Sequence, residues 1–146
     1  MATSPAKTPL PADDALADTG RLLLRLAIGV LILLHGIAKL KGGPDFIVGA
    51  VTKAGLPAVF AYGVYIGELL APLLLIVGLW TRAAALIVAV NMVVAVALVH
   101  LPQLTALNQS GGWELELQGM YLFGALAVML LGAGRWSLGG LGGRFN

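Results

Sequence analysis

Seven side chains in this sequence carry polar chemistry into or beside long apolar runs: His35, Lys39, Glu68, Asn91, Glu114, Gln118 and Tyr121. A charged group near the centre of a bilayer costs about 2.5–3.5 kcal/mol on insertion scales, so such residues face a cavity or a partner. His35 and Lys39 are i and i+4 and share one face of a helix. Glu68 falls about nine residues into a second apolar run, roughly 13 Å deep at about 1.5 Å per residue. Asn91 lies at a similar depth in a third run, so a carboxylate and an amide can meet across helices. Glu114, Gln118 and Tyr121 follow i, i+4, i+7 and form one stripe at the start of a fourth run. Histidine and glutamate are proton-transfer groups. The spacing therefore gives His35 and Glu68 as candidate catalytic residues, with Lys39, Asn91, Glu114, Gln118 and Tyr121 as candidate binding residues around them.

Each residue also has a plainer reading. Glu68 and Asn91 can simply fix helix packing. Lys39 can snorkel to the membrane surface. Glu114 can complement a helix dipole. Pro72, four residues after Glu68, lacks the N–H that would bond the Glu68 carbonyl. It either kinks the helix or adds an acceptor to a polar pocket. Arg25 and Arg82 lie near helix ends and are expected to snorkel. Glu116 points away from the stripe and is expected to be solvated. His100 is half a turn around from Asn91 and is expected at the interface. A haem held by His35 and His100 is disfavoured because their depths and phases differ. There is no cysteine and there are only two histidines, so thiolate metal sites and iron–sulfur clusters are excluded from the chain itself. No metal or flavin motif is evident.

The elements that must position these residues are membrane helices. The chain is 59% hydrophobic and 11% charged, whereas a soluble domain carries roughly 25% charge. Four segments approach the roughly 20 apolar residues that a span needs: about 21–40, 59–80, 82–101 and 114–132. The expected fold is an all-α integral membrane protein, a four-transmembrane-helix antiparallel bundle over 20–138. Residues 1–19 read as a polar cytoplasmic tail, with a short helix possible from Asp13, and 139–146 as a C-terminal tail. "DFIVGAV" reads as a short interfacial helix. Gly63, Gly67 and Ala71 form a small-residue seam suited to close helix approach, within the bundle or in a homo-oligomer. Trp80, Trp113 and Trp136 read as interface anchors. Lys7, Arg21, Arg25, Arg82, Arg135 and Arg144 fall at one end; Lys39, Lys41 and Lys53 fall at the other. Positive charge favours the cytoplasm, which places both termini there. A net charge of +2 with no basic stripe gives no reason to expect nucleic acid. The lipid bilayer is the expected surrounding.

Four stretches in order, "LRLAIGVLILLHGIAKL", "GELLAPLLLIVGLWTRAAA", "GGWELEL" and "LLGAGRWSL", resemble the DoxX family of four-helix membrane proteins, including its DoxD-like subunits. The resemblance runs from about Arg21 to Leu138. It departs at "RWSLGG", where Gly139 stands in place of a frequent Asp. The resemblance implies membrane redox chemistry, with some members serving as subunits of thiosulfate:quinone oxidoreductase. It implies an inner-membrane location in a bacterium and a quinone as the cofactor or substrate. The expectation is a quinone-linked oxidoreductase subunit with an outward-opening polar pocket. His35 would serve the carbonyl, Glu68 a second proton, and Lys39 an anionic co-substrate. A redox partner subunit must then supply the electrons. The alternatives are a non-catalytic accessory or assembly subunit of a membrane complex and a small anion transporter; the absence of an inverted repeat counts against the last.

Overall fold

The computed structural model describes residues 12–143 and 145–146. Lys7, Arg144 and the first eleven residues of the expected tail lie outside them. Among the described residues the fold is all-helical, with a single isolated bridge, Leu107 to Trp113, and no strand. The helices are α1 (Ala12–Gly42), α2 (Asp45–Lys53), α3 (Ala58–Val77), α4 (Thr81–Gln103) and α5 (Glu116–Leu131).

Helix α1 begins at Ala12 rather than near Arg21. Residues read as tail continue the first span, because alanine and leucine propagate a helix and early aspartates suit its dipole. Asp18 is buried and pairs with Arg21 at 2.7 Å and with Arg135 at 3.5 Å. The helix ends where Gly43 takes a left-handed φ of +82° and Pro44 comes next. "DFIVGAV" forms α2, with Asp45 in its first turn and Lys53 in its last. Helices α3 and α4 are not uniform. Each contains one π turn, Ile66–Leu70 and Val96–His100 respectively.

Helices α3 and α4 are joined at Gly78–Trp80, where Gly78 has φ +72° and Trp80 φ +48°. A Cβ at Gly78 would also sit 2.3 Å from the Arg25 guanidinium, so glycine is required there twice over. Helix α1 packs on α3 and α5, and α4 packs on α3 and α5, while α2 rests on the start of α3. The core between them is built from Ile28, Ile32, Leu75, Val88, Ala125 and Val128, with alanines on α4 allowing close approach. Leu34, Leu73, Val93, Phe123 and Leu130 face outward. Among the described residues, three helices are long and apolar enough to cross a membrane. The fourth expected span is shorter: α5 has 16 residues, or about 24 Å at 1.5 Å per residue. Its early start is prevented by a turn at Asn108, which accepts from the N–H groups of Ser110 and Gly112, and by the Leu107–Trp113 bridge.

Arg25 does not snorkel. It is 1% exposed and donates to the carbonyls of Ala133 at 2.9 Å and Trp136 at 2.7 Å. The chain after α5 thus folds back over the end of the molecule and caps this guanidinium. Arg82 is exposed and donates to Met129 O and Asn146 O. Hydrogen bonds to a charged group contribute about 1.5–3 kcal/mol each. Arg25→Met is expected to lower stability by about 2–3 kcal/mol, and Arg25→Lys to restore only part, since lysine lacks the guanidinium fork. Unfolding of the detergent-solubilised protein measures both.

Candidate functional site

A cavity of about 830 Å³ opens between the helices, with all five contributing residues to its wall. The wall is mostly hydrocarbon, including Ile32, Phe46, Val51, Ile87 and Leu98. The expected polar pocket is therefore an apolar cavity with a polar group set into its wall.

That group is centred on Glu68, which is 2% exposed. Lys39 Nζ donates to its Oε1 in an ion pair. Asn91 Nδ2 donates to the same oxygen at 3.2 Å. Oε2 is buried with no hydrogen-bond partner. Lys39 thus reaches across to α3 instead of leaving for the membrane surface. The backbone makes this approach possible. Gly36 on α1 lies so close to α3 that a Cβ would come within 2.2 Å of the Glu68 carbonyl oxygen. A Cβ at Gly67 would come within 2.4 Å of the Asn91 side chain. Both positions need glycine for close approach of chain to chain. Of the small-residue seam, Gly67 and Ala71 are buried inside the molecule, while Gly63 lines the cavity. Pro72 has no N–H for the Glu68 carbonyl, and the turn before it is the π turn, in which Ala71 N–H bonds back to Ile66 O.

His35 borders the cavity one turn before Lys39. Its Nδ1 donates to Leu31 O at 2.9 Å, since a carbonyl can only accept. Its ring meets Tyr121 edge to face, 5.6 Å between centroids at 82°. Tyr121 is buried and Gln118 half-buried, and both line the cavity from α5. Gln118 Nε2 lies 3.5 Å from His100 Nε2, and His100 Nδ1 lies 2.8 Å from Gln103 Oε1.

His100 is the cavity residue that helical periodicity leaves out. The phase count from Asn91 assumes an unbroken α-helix. The π turn at Val96–His100 inserts an extra residue, which rotates the rest of the helix by about 100°. The phase argument against a shared location for His35 and His100 therefore lapses, as both border one cavity. Glu114 moves the other way. It precedes α5, is exposed, and is absent from the cavity wall. The stripe i, i+4, i+7 requires a helix through residue 114, and the Trp113 bridge prevents one. Trp113 does more than anchor: its indole donates to Leu104 O at 2.8 Å, and Gly119 is kept free of a side chain by its ring.

The DoxX family model matches residues 20–101. The chain belongs to the DoxX family. The matched segment holds His35, Lys39, Glu68, Asn91 and His100, whereas Gln118 and Tyr121 come from α5 beyond it. The chain is 34% identical over 117 residues to an uncharacterized protein of Haemophilus influenzae, covering 79% of this chain and 84% of that one. It is 33% identical over 86 residues to a Bacillus subtilis protein whose provisional name is oxidoreductase CatD, covering 58% and 62%. An uncharacterized membrane protein of Mycobacterium tuberculosis is 30% identical over 131 residues, covering 80% and 77%. No solved structure matches. This DoxX protein is a membrane protein whose long apolar helices contact the lipid bilayer.

The geometry makes two outcomes testable. Gly36→Ala drives a methyl into the Glu68 backbone and is expected to destabilise by about 1–3 kcal/mol, as overpacking does. Lys39→Met leaves a buried carboxylate without its cation, so it should destabilise more than Lys39→Met combined with Glu68→Gln. Thermal unfolding of the single and double variants checks the sign; equal losses would show that Lys39 and Glu68 are not coupled.

Proposed function

We propose that this DoxX protein is the quinone-binding subunit of a membrane oxidoreductase. The observation that carries the reading is a large apolar cavity with the Lys39–Glu68–Asn91 group in its wall and His35 beside it. A quinone presents the matching chemistry. Its ring and isoprenoid tail need hydrocarbon walls, and its two oxygens need hydrogen-bonding groups. Interconversion of quinone and quinol moves two electrons and two protons. Glu68 and His35 are the proton-exchanging groups at the ring. The electrons pass to or from a partner protein carrying a flavin or a metal centre. Gln118, Tyr121 and His100 orient the ring. Lys39 balances the Glu68 charge, a role that replaces recruitment of an anionic co-substrate. The provisional naming of the Bacillus relative as an oxidoreductase supports the reading.

The same proposal includes the topology. Helices α1, α3, α4 and α5 cross a bacterial inner membrane as an antiparallel bundle, α5 with the help of the turns that flank it. Arg21, Arg82 and Arg135 cluster at the end where α1 meets the chain after α5, and Lys39, Lys41 and Lys53 lie at the other. By the excess of arginine at the first end, both termini face the cytoplasm.

The test is calorimetric titration of the nanodisc-reconstituted protein with a short-chain ubiquinone and with its quinol. At least one form is expected to bind. Glu68→Gln and His35→Ala are each expected to weaken the tighter-bound form about tenfold, the effect of one lost hydrogen bond to a key group. No binding of either form, or unchanged affinity in both variants, would sink the site and leave a packing role in a larger complex.

A further inference from the structure

We infer that the cavity selects the reduced, hydroxyl-bearing form of its ring ligand, the quinol, over the quinone. The inference rests on the quinone-binding reading and adds the redox form. It comes from the hydrogen-bonding capacity left over in the wall.

Glu68 is an acceptor-only group when ionised. Its Oε1 already receives Lys39 and Asn91, and its Oε2 is buried and receives nothing. Rotation about a terminal sp³–sp² bond is soft, so a partial turn can bring the unpaired oxygen towards the cavity that Glu68 borders. A hydroxyl held there is a donor suited to the oxygen left unpaired. His35 has the same sense. Its Nδ1–H is committed to Leu31 O, which leaves Nε2 of the neutral ring as a lone-pair acceptor. His100 differs, since both of its ring nitrogens have partners: Nδ1 on Gln103 Oε1 and Nε2 beside the Gln118 amide nitrogen.

Donors are present as well. Lys39 keeps N–H groups beyond the one given to Glu68, and Lys39 is about a third exposed, so water can serve them. The decisive difference lies in what each ligand can satisfy. A quinone carbonyl only accepts, so it can meet Lys39 but leaves Oε2 unpaired. A quinol hydroxyl both donates and accepts, so it can meet Oε2 or His35 Nε2 and receive from Lys39 together. An unpaired buried acceptor is the costlier defect.

The experiment is anaerobic calorimetry on the reconstituted full-length protein with three probes: a short-chain ubiquinol, the matching ubiquinone, and the quinol with both hydroxyls methylated. The quinol is expected to bind at least about tenfold tighter than either other probe, the worth of one charge-assisted hydrogen bond. Glu68→Gln should remove most of that preference, because an amide supplies donors where the carboxylate only accepted. His35→Ala, which leaves the Lys39–Glu68 pair in place, should reduce the preference and gives a second readout should Glu68→Gln fail to fold. Quinone or methylated ether binding as tightly as quinol would overturn the inference while leaving the ring-binding reading standing. Failure of all three probes to bind would overturn both.

Discussion

A carboxylate sits in the wall of an apolar cavity, and the arrangement of three helices is set by keeping it there. Removing an ion from water carries an effective penalty of several kcal/mol even after relaxation. Glu68 offsets that cost with a cation from α1 and an amide from α4. Neither partner can reach unless the helices approach closely, and the two glycines lie where they must. Gly36 brings α1 against the Glu68 backbone, one turn before Lys39, and Gly67 makes room for Asn91. A larger residue at either position would push apart the helices that neutralise the charge. Packing and electrostatics here are one constraint, because the small residues exist to bring the polar ones into range.

Much of this is legible in the sequence because intramembrane polar residues are few. His35, Lys39, Glu68 and Asn91 stand out against apolar runs, and their depths agree. All four border the cavity. Whatever depends on departures from the regular helix escapes such a reading. Periodicity puts His100 on the wrong side, because a π turn changes the phase without leaving a mark in the apolar pattern. Periodicity also carries a helix through Glu114, although α5 begins two residues later, since a tight Asn108 turn and a backbone bridge hold the segment straight. A place near a helix end predicts that Arg25 reaches for the surface, and its real partners are carbonyls more than a hundred residues away in sequence. Long-range backbone acceptors have no sequence signature. The span count shows the same limit, for hydropathy marks an apolar run at the start of α5 but not where the helix begins.

Of the three buried charged residues, Asp18 is spent on Arg21 and Arg135, and the other two divide the labour of the molecule. Arg25 and Glu68 are both almost fully enclosed. Arg25 is surrounded by protein on every side and spends its Nη groups on the chain that folds back after α5. Those bonds hold the structure together, and although its Nε has no partner, Arg25 borders no part of the cavity. Glu68 borders a large open volume and has an oxygen left over. Burial alone therefore does not mark a functional charge in this membrane protein; burial beside unfilled space, with unfilled valence, does.

The two π turns give that distinction a backbone origin. One carries Glu68 and the other ends at His100, and both border the same cavity. A π turn is less stable than the α-helix it interrupts and persists where something else is gained, often at functional sites. On α3 the gain is partly forced, since Pro72 already breaks the ordinary bonding pattern one turn later. On α4 no proline lies within the π turn, and Pro102 comes only after it ends. There the widened turn redirects His100 from the lipid side to the cavity. A regular α4 would leave that imidazole facing hydrocarbon, with its ring nitrogens far from Gln118. The irregular backbone is thus what gathers polar groups from separate helices into a single space that the regular helical pattern would have kept apart.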